Sequence, residues 1–273
     1  MSDVDALLGM RRGPARAGGG GASFRWLLRR ELVRFGRQRS RVIAALGTPL
    51  MIWLVLASGF AGSGGGPGGV TDGAGYGAYL VPGMAVMVVL FTSIFAAISL
   101  IEDRHAGFLQ SVLVSPAPRW ALVGSKVAAV SLVSLAQAVV ILVAAPLTGV
   151  ALTPMGVALG LAALLSISVG LSGLGLALAW QVDSVQGFHG VMNLVLMPMW
   201  LLSGAFFALE GASTWLRAVM SLNPLTWPSE ALRWALLGES GLPLPLAWAG
   251  AGTFAAVGMV LPMVVMQRPV RQG

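Results

Sequence analysis

Residues 127–182 read VAAVSLVSLAQAVVILVAAPLTGVALTPMGVALGLAALLSISVGLSGLGLALAWQV, and none of these 56 residues carries a charge. As a single helix the stretch would be about 84 Å long, yet about 20 apolar residues already cross a hydrocarbon core about 30 Å thick. It therefore folds back once. Thr148-Gly149 and Thr153-Pro154 mark the turn, with Pro154 suited to the first turn of the second helix. Applied outward from this hairpin, the same arithmetic finds one span in residues 42–60, one in 79–101, one in 184–209 and one in 240–267. The predicted fold is an all-α polytopic membrane protein with six transmembrane helices, an N-terminal interfacial amphipathic helix, and short external re-entrant or surface helices before the sixth span. Residues 42–267 form the six-span domain.

Composition agrees. The 273 residues are 56% hydrophobic and 10% charged, against about 25% charged in soluble domains. A net charge of +7 does not indicate nucleic acid as a partner, because ten of the seventeen basic residues precede residue 42. With no cysteine and two histidines, a disulfide framework, an iron-sulfur cluster, a thiolate zinc site and covalently attached haem are excluded. No metal or cofactor is expected in this chain.

Lys and Arg placement sets the predicted orientation. With the N-terminus in the cytoplasm, fifteen basic residues lie inside and only Arg217 and Arg233 lie outside. Residues 1–22 lack the apolar core of a cleavable signal peptide. Residues 1–23 read as a disordered cytoplasmic tail, and 268–273 as a second cytoplasmic tail. Both termini are thus placed on the cytoplasmic side of a cell membrane.

Residues 24–41 read as a helix on the cytoplasmic surface. Phe24, Leu28, Leu32 and Phe35 fall on one stripe. Arg30, Arg34, Arg37 and Arg41 fall on the opposite face, expected to meet anionic headgroups of membrane lipids, and Glu31 is a further candidate on this helix. Service as topology-setting charge alone is the alternative.

No charged residue falls within the predicted spans, which disfavours a proton-driven carrier, and the chain has no Gly-x-x-x-x-Gly-Lys-Ser/Thr loop for ATP. Of the polar residues in the spans, Ser134 and Gln137 share a face and, with Asn193, are candidates for a substrate path. Hydrogen bonding between neighbouring helices is the alternative. Gly156-x-x-x-Gly160 and Ser166-x-x-x-Gly170 suggest close helix packing. Prolines 49, 82, 146, 198 and 262 suggest kinked or broken helices. Gly170-Leu171-Ser172-Gly173 resembles the nucleophile motif of rhomboid intramembrane proteases, but the sixth span offers no histidine to activate a serine.

Two segments outside the spans carry further information. After the second span, Glu102-Asp103-Arg104-His105 leads into a stretch bounded by Gly107 and Pro116, in which Phe108, Leu109, Val112 and Leu113 cover one arc and Gln110, Ser111 and Ser115 the other. This reads as a short amphipathic helix that rests on lipid or enters a groove on a soluble partner. After the fifth span, Trp215, Leu216, Val219 and Met220 form an apolar patch, Asn223-Pro224-Leu225 turns the chain, and Glu230 and Arg233 are spaced to pair on a second helix. These external helices, over about 213–238, read as a lid over an exit path or as a surface hairpin without that role.

Taken in order, the basic amphipathic head, the Glu102-Asp103-Arg104 to Lys126 stretch, and Gly204-Ala205-Phe206-Phe207 leading to Asn223-Pro224-Leu225 and Ala231-Leu232-Arg233 resemble the membrane permeases of type-two ATP-binding cassette (ABC) exporters. That class handles drugs, polysaccharides and lipid-linked glycans. The resemblance implies a coupling helix at about 107–116, with Gly107, Phe108, Leu109, Ser111, Val112, Leu113, Pro116 and Arg119 facing a separate ABC ATPase subunit. It implies that residues 24–41 are the connecting helix, that Phe206, Phe207, Asn223, Pro224, Glu230 and Arg233 belong to an external gate, and that two permeases, copies or paralogues, assemble as a dimer with two ATPases. ATP and Mg would be held by the ATPase. The expected function is outward movement of a hydrophobic, amphipathic or lipid-linked substrate. A membrane assembly factor or scaffold, or an intramembrane serine protease, is the alternative.

Overall fold

The computed structural model describes residues 20–60, 75–113 and 118–267. The Gly/Pro linker at 62–69, Pro116 and the C-terminal tail at 268–273 lie outside them, as do residues 1–19. Every regular element among the described residues is helical: α1 (Gly20–Arg37), α2 (Arg39–Phe60), α3 (Gly75–His105), α4 (Phe108–Leu113), α5 (Arg119–Ala144), α6 (Pro154–Gln181), α7 (Val185–Val191), α8 (Met197–Trp200), α9 (Thr214–Leu222), α10 (Thr226–Leu237) and α11 (Leu244–Val265). Six segments are long and apolar enough to cross a membrane, namely α2, α3, α5 with its 3-10 turn, α6, the stretch Val185–Ala205, and α11. The expected count of six holds. The hairpin turn between α5 and α6 is the 3-10 turn Ala145–Thr148, closed by Gly149 in the left-handed region at φ 86°. Thr153 then caps α6, its Oγ1 accepting from the Gly156 amide at 3.0 Å.

α3 is the central stave. Of its most apolar stretch 89% is buried, against 17% for α2 and 22% for α11. A helix apolar all round belongs inside a bundle, and α2, α5, α6 and the end of the fifth span all pack on α3. α6 in turn lies between α3 and α11, so α2 and α11 occupy opposite edges. At its 31 residues α3 outruns the predicted 79–101, because Glu102, Asp103, Arg104 and His105 continue the helix.

The fifth span is not one regular helix. Two π-turns, Met192–Leu196 and Leu201–Ala205, flank α8, and Gly204 turns the chain at φ 88°. Pro198, which has no amide hydrogen and crowds the carbonyl four residues earlier, accounts for the widened turn before it. Pro146 lies in the 3-10 turn, whereas Pro49, Pro82 and Pro262 sit inside helices that continue through them.

Without a hydrophobic force between helices in lipid, close packing must be built from small residues. α6 and α11 meet backbone to backbone: a Cβ on Gly173 would fall 1.6 Å from the Gly258 carbonyl oxygen, and one on Gly258 would fall 2.5 Å from Gly170 Cα. Gly156 and Gly160 serve α10 likewise, meeting the Ala235 carbonyl oxygen at 2.5 Å and Leu236 at 3.0 Å. Ser166 takes no part, its hydroxyl donating to Ala162 on its own helix. The same contact explains Gly170-Leu171-Ser172-Gly173. Ser172 is fully buried and its hydroxyl donates to the Ser168 carbonyl at 2.6 Å, while His105 and His189 are both exposed and engage the carbonyls of Asp183 and Val185. The motif packs helices and the protease reading finds no base.

Gly258→Val is expected to cost about 1–3 kcal/mol through overpacking, seen as a lowered unfolding midpoint in detergent. Gly252→Ala, with open space around its Cβ, should leave the midpoint unchanged or raise it.

Candidate functional site

Where α3 leaves the bundle, four consecutive charged or titratable residues are used in two directions. Asp103, 3% exposed, accepts from Arg30 Nη2 at 2.8 Å and Arg34 Nη1 at 2.6 Å through Oδ1, and from Lys126 Nζ at 3.0 Å through Oδ2. Lys126 also donates to Glu31 at 3.0 Å, and Arg30 to Glu31 at 2.9 Å. Glu102 accepts from Arg34 at 2.8 Å and from Arg41. Four cations thus meet three carboxylates in one cluster that ties α1 and the start of α2 to α3 and α5. On the other side Arg104 caps the C-terminus of α6, donating to the carbonyls of Ala179, Trp180 and Val182 at 3.0 Å each. Such unpaired terminal carbonyls favour a cation. His105 Nε2 lies 2.8 Å from the Asp183 carbonyl oxygen.

This arrangement corrects the reading of α1. Its inward face carries Leu27, Glu31 and Phe35, one turn apart and all buried. Arg30, Arg34 and Arg41 are half-buried against carboxylates rather than turned to lipid headgroups. Among the arginines of residues 24–41, Arg25, Arg29, Arg37 and Arg39 are exposed. α1 also begins at Gly20, so residues 20–23 of the expected tail are helical, and Gln38 separates it from α2. Burial pulls the Arg30 guanidinium down, but hydrogen bonding and charge from Asp103 and then Glu31 outweigh it and hold its pKa above the ordinary value.

α4 rests on this cluster. Gly107 turns the chain at φ 72°, which favours glycine. The Phe108 ring then lies beneath Arg30, 3.5 Å from guanidinium carbon to ring centroid, a cation–π contact. Leu109 is 2% exposed, and Phe108 and Val112 pack on the core. Of the apolar arc expected to face a partner, Phe108, Leu109 and Val112 are therefore turned toward the chain itself. Ser111 and Leu113 fall on the same helix. Arg119, at the start of α5, donates to the Met266 carbonyl at 3.1 Å and so secures the end of α11.

The outer-gate candidates gather at the far end of α3. Tyr79 and Asp103 are 24 positions apart on that helix, about 36 Å. Arg233 lies 3.9 Å over the Tyr79 ring, donates to the Tyr79 carbonyl at 3.3 Å and to the Gly204 carbonyl, and pairs with Glu230 at 3.4 Å. Glu230 accepts from the Gly241 amide at 2.7 Å. Tyr79 donates to Gly204 and Tyr76 to Phe206 through their hydroxyls, at 2.9 and 3.1 Å. Asn223 donates to the Met199 carbonyl at 2.6 Å, and Phe206 meets Trp200 edge to face at 5.1 Å. Phe207 is half-buried and Pro224 exposed. The two helices expected on the outside part company: α9 exposes Trp215, Val219 and Leu222, whereas most of α10 is buried against α6, α11 and α3.

The three substrate-path candidates do not converge. Ser134 and Ser168 hydroxyls are 3.0 Å apart, and Thr92 donates to Gln137 at 2.7 Å, so both join neighbouring helices. Asn193 is exposed on the fifth span.

Residues 22–237 match the ABC-2 type transporter family. The chain belongs to that family. Relatives named "Putative transport permease ycf38" agree with it. The one from Porphyra purpurea is 26% identical over 211 residues, 76% of this chain and 72% of the relative. That from Pyropia yezoensis is 27% identical over 214 residues, with the same two coverages. That from Cyanophora paradoxa is 26% identical over 166 residues, 60% of this chain and only 57% of the relative. In this ABC-2 transporter chain the family match takes in both polar ends of α3, the Asp103 cluster and the Arg233 cluster alike. It supports a multi-pass transport permease subunit, a membrane component rather than an ATPase.

Sequence reasoning singled out Arg30, Glu31, Arg34 and Arg41 without their partners, and missed Lys126, Tyr76 and Tyr79. A usable signal was the run 102–105 directly after a charge-free span.

Lys126→Met removes the cation shared by two buried carboxylates and should destabilise by about 3–5 kcal/mol, measured by unfolding in detergent; Arg37→Ala, at an exposed position, should change little. Arg233→Met, which leaves Glu230 buried without its cation, should cost a similar amount, with Glu230→Gln costing less.

Proposed function

We infer that this chain is the permease subunit of an ATP-driven ABC exporter, with ATP and Mg held by a separate ABC ATPase subunit. The observation that carries the reading is the seating of α4. It is a short helix outside the bundle, joined to the central helix by one glycine turn and locked by Phe108 and Leu109 onto the Asp103 cluster. Force applied to α4 by a soluble partner reaches α1, α2 and α5 through Asp103, Glu102 and Lys126, and α6 through Arg104. Alternation between inward- and outward-open states would then be a rigid-body tilt of these helices. At the far end of α3, Arg233 and Tyr79 hold the α9–α10 hairpin, placed to open or close an exit.

Both termini are assigned to the cytoplasm of a cell membrane by the excess of Lys and Arg on that side. The spans offer an apolar interior, which suits a hydrophobic, amphipathic or lipid-linked substrate such as a drug, a lipid or a glycan carried on a lipid. A second permease, copy or paralogue, is assigned as partner. The exposed apolar face of α2, with Ile43, Met51, Leu54 and Val55, is available to it or to lipid.

Extraction of the tagged chain from native membranes in mild detergent, with mass spectrometry of what copurifies, should return an ATPase carrying a phosphate-binding Gly-rich loop. Gly107→Val forces a β-branched residue into the left-handed region, costing at least about 1–2 kcal/mol, and should re-aim α4. Membrane insertion should persist while ATPase retention falls. No ATPase even after crosslinking, or vesicles in which substrate never stimulates ATP turnover, would favour a scaffold; full retention by Gly107→Val would remove α4 from the interface.

A further inference from the structure

On the edge of the bundle away from α2, a groove of about 580 Å³ runs between α6, α11 and the α9–α10 turn. Its floor is the glycine contact of α6 with α11, where Gly170 and Gly258 bring the two backbones together. One wall is the exposed stripe Ala249, Thr253 and Val257 of α11. The facing wall is Leu222, Pro224 and Trp227, the last seated against Gly250, whose Cβ would fall 2.4 Å from that of Trp227.

The lining side chains of the groove offer no free hydrogen-bond donor. Thr253 donates to the Ala249 carbonyl at 2.9 Å, Ser221 to Arg217 at 2.8 Å, and the Trp227 indole to Ser221 at 3.1 Å. The rest of the lining is mostly Leu, Ala, Gly, Phe and Val, a surface that suits hydrocarbon. From Leu246 to Leu261 the lining extends 15 residues along α11, about 22 Å, within a hydrocarbon core about 30 Å thick. At its mouth stands α9, with Trp215 69% and Leu222 84% exposed and Arg217 pinned to the carbonyls of Leu209 and Glu210. An amphipathic helix so arranged lies in the interface with its apolar face toward lipid, and the groove continues that face into the bilayer. Side chains cannot fill it, because the glycines that form its floor are required for helix contact, and an empty groove would forfeit the dispersion contacts of its walls.

We propose that this groove is a resident lipid site that holds one acyl chain of a membrane phospholipid lengthwise between α6, α11 and the α9–α10 turn. The site depends on the chain's being a membrane protein and not on which substrate it moves.

The test uses the full chain in phosphatidylcholine and phosphatidylglycerol vesicles containing a phospholipid with a photoreactive diazirine on one acyl chain, followed by peptide mapping. Peptides bearing Trp227 and Thr253 should be labelled several-fold more than those bearing Leu54 and Val55 of α2, which are at least as exposed as Val257. Thr253→Trp, at an exposed position, should abolish the excess while leaving α2 labelling unchanged. Val257→Trp provides a second filling variant if the first fails to fold. Labelling of the groove no greater than of α2, or excess labelling that survives both folded variants, would overturn the proposal. Protection of the groove while α2 is labelled would also overturn it, since another polypeptide would then cover it. No ATPase or transport is needed, so failure of the exporter reading leaves this result interpretable.

Discussion

The carboxylate of Asp103 is the point at which α1, α3 and α5 are tied together. Burying ions costs several kcal/mol each and is tolerated only when pairing and hydrogen bonding are complete. Here Arg30, Arg34 and Lys126 supply that completeness, while Glu31 takes the remaining demand of Lys126. The interaction is worth more as a specification than as net stabilisation. α1 has enough apolar surface to lie on any membrane, and the Asp103 cluster fixes its position against α3 and α5.

That cluster grows from the last turn of the most buried helix, so the two polar ends of the bundle belong to one continuous element. α3 ends at Asp103, Arg104 and the turn into α4; it starts beside Tyr76 and Tyr79, whose hydroxyls hold the irregular end of the fifth span. Between these polar ends lies an apolar rod with Gly83 set so closely on Ala205 that a Cβ would fall 2.7 Å from its carbonyl oxygen. The irregular backbone lies in the fifth span, in the π-turns around Pro198 and at the positive-φ Gly204.

The far edge follows a different rule. α6 and α11 associate through glycine backbones, a contact that depends on shape alone, and the price is a surface that cannot close on itself. The α9–α10 hairpin covers part of it, with Trp227 fitted against Gly250.

Six spans were legible in the sequence because charge cannot lie unpaired in hydrocarbon: the 56 uncharged residues at 127–182 admit one turn and two helices. The helix start at Pro154 was legible for a similar reason, being local backbone chemistry. Glu230 and Arg233 were legible as a pair because i, i+3 spacing lies within one helix. Partners distant in sequence were not. Periodicity placed the arginines of residues 24–41 opposite an apolar stripe and therefore toward lipid, since it carries no knowledge of carboxylates 61 to 73 positions later. Only the tertiary structure decided that Arg30, Arg34 and Arg41 turn inward, that Phe108 faces its own chain, and that α10 enters the bundle. Local hydrophobicity determines which segments enter the membrane; pairing of buried charges and close approach of glycines, both properties of residues far apart in the chain, determine how they are arranged there.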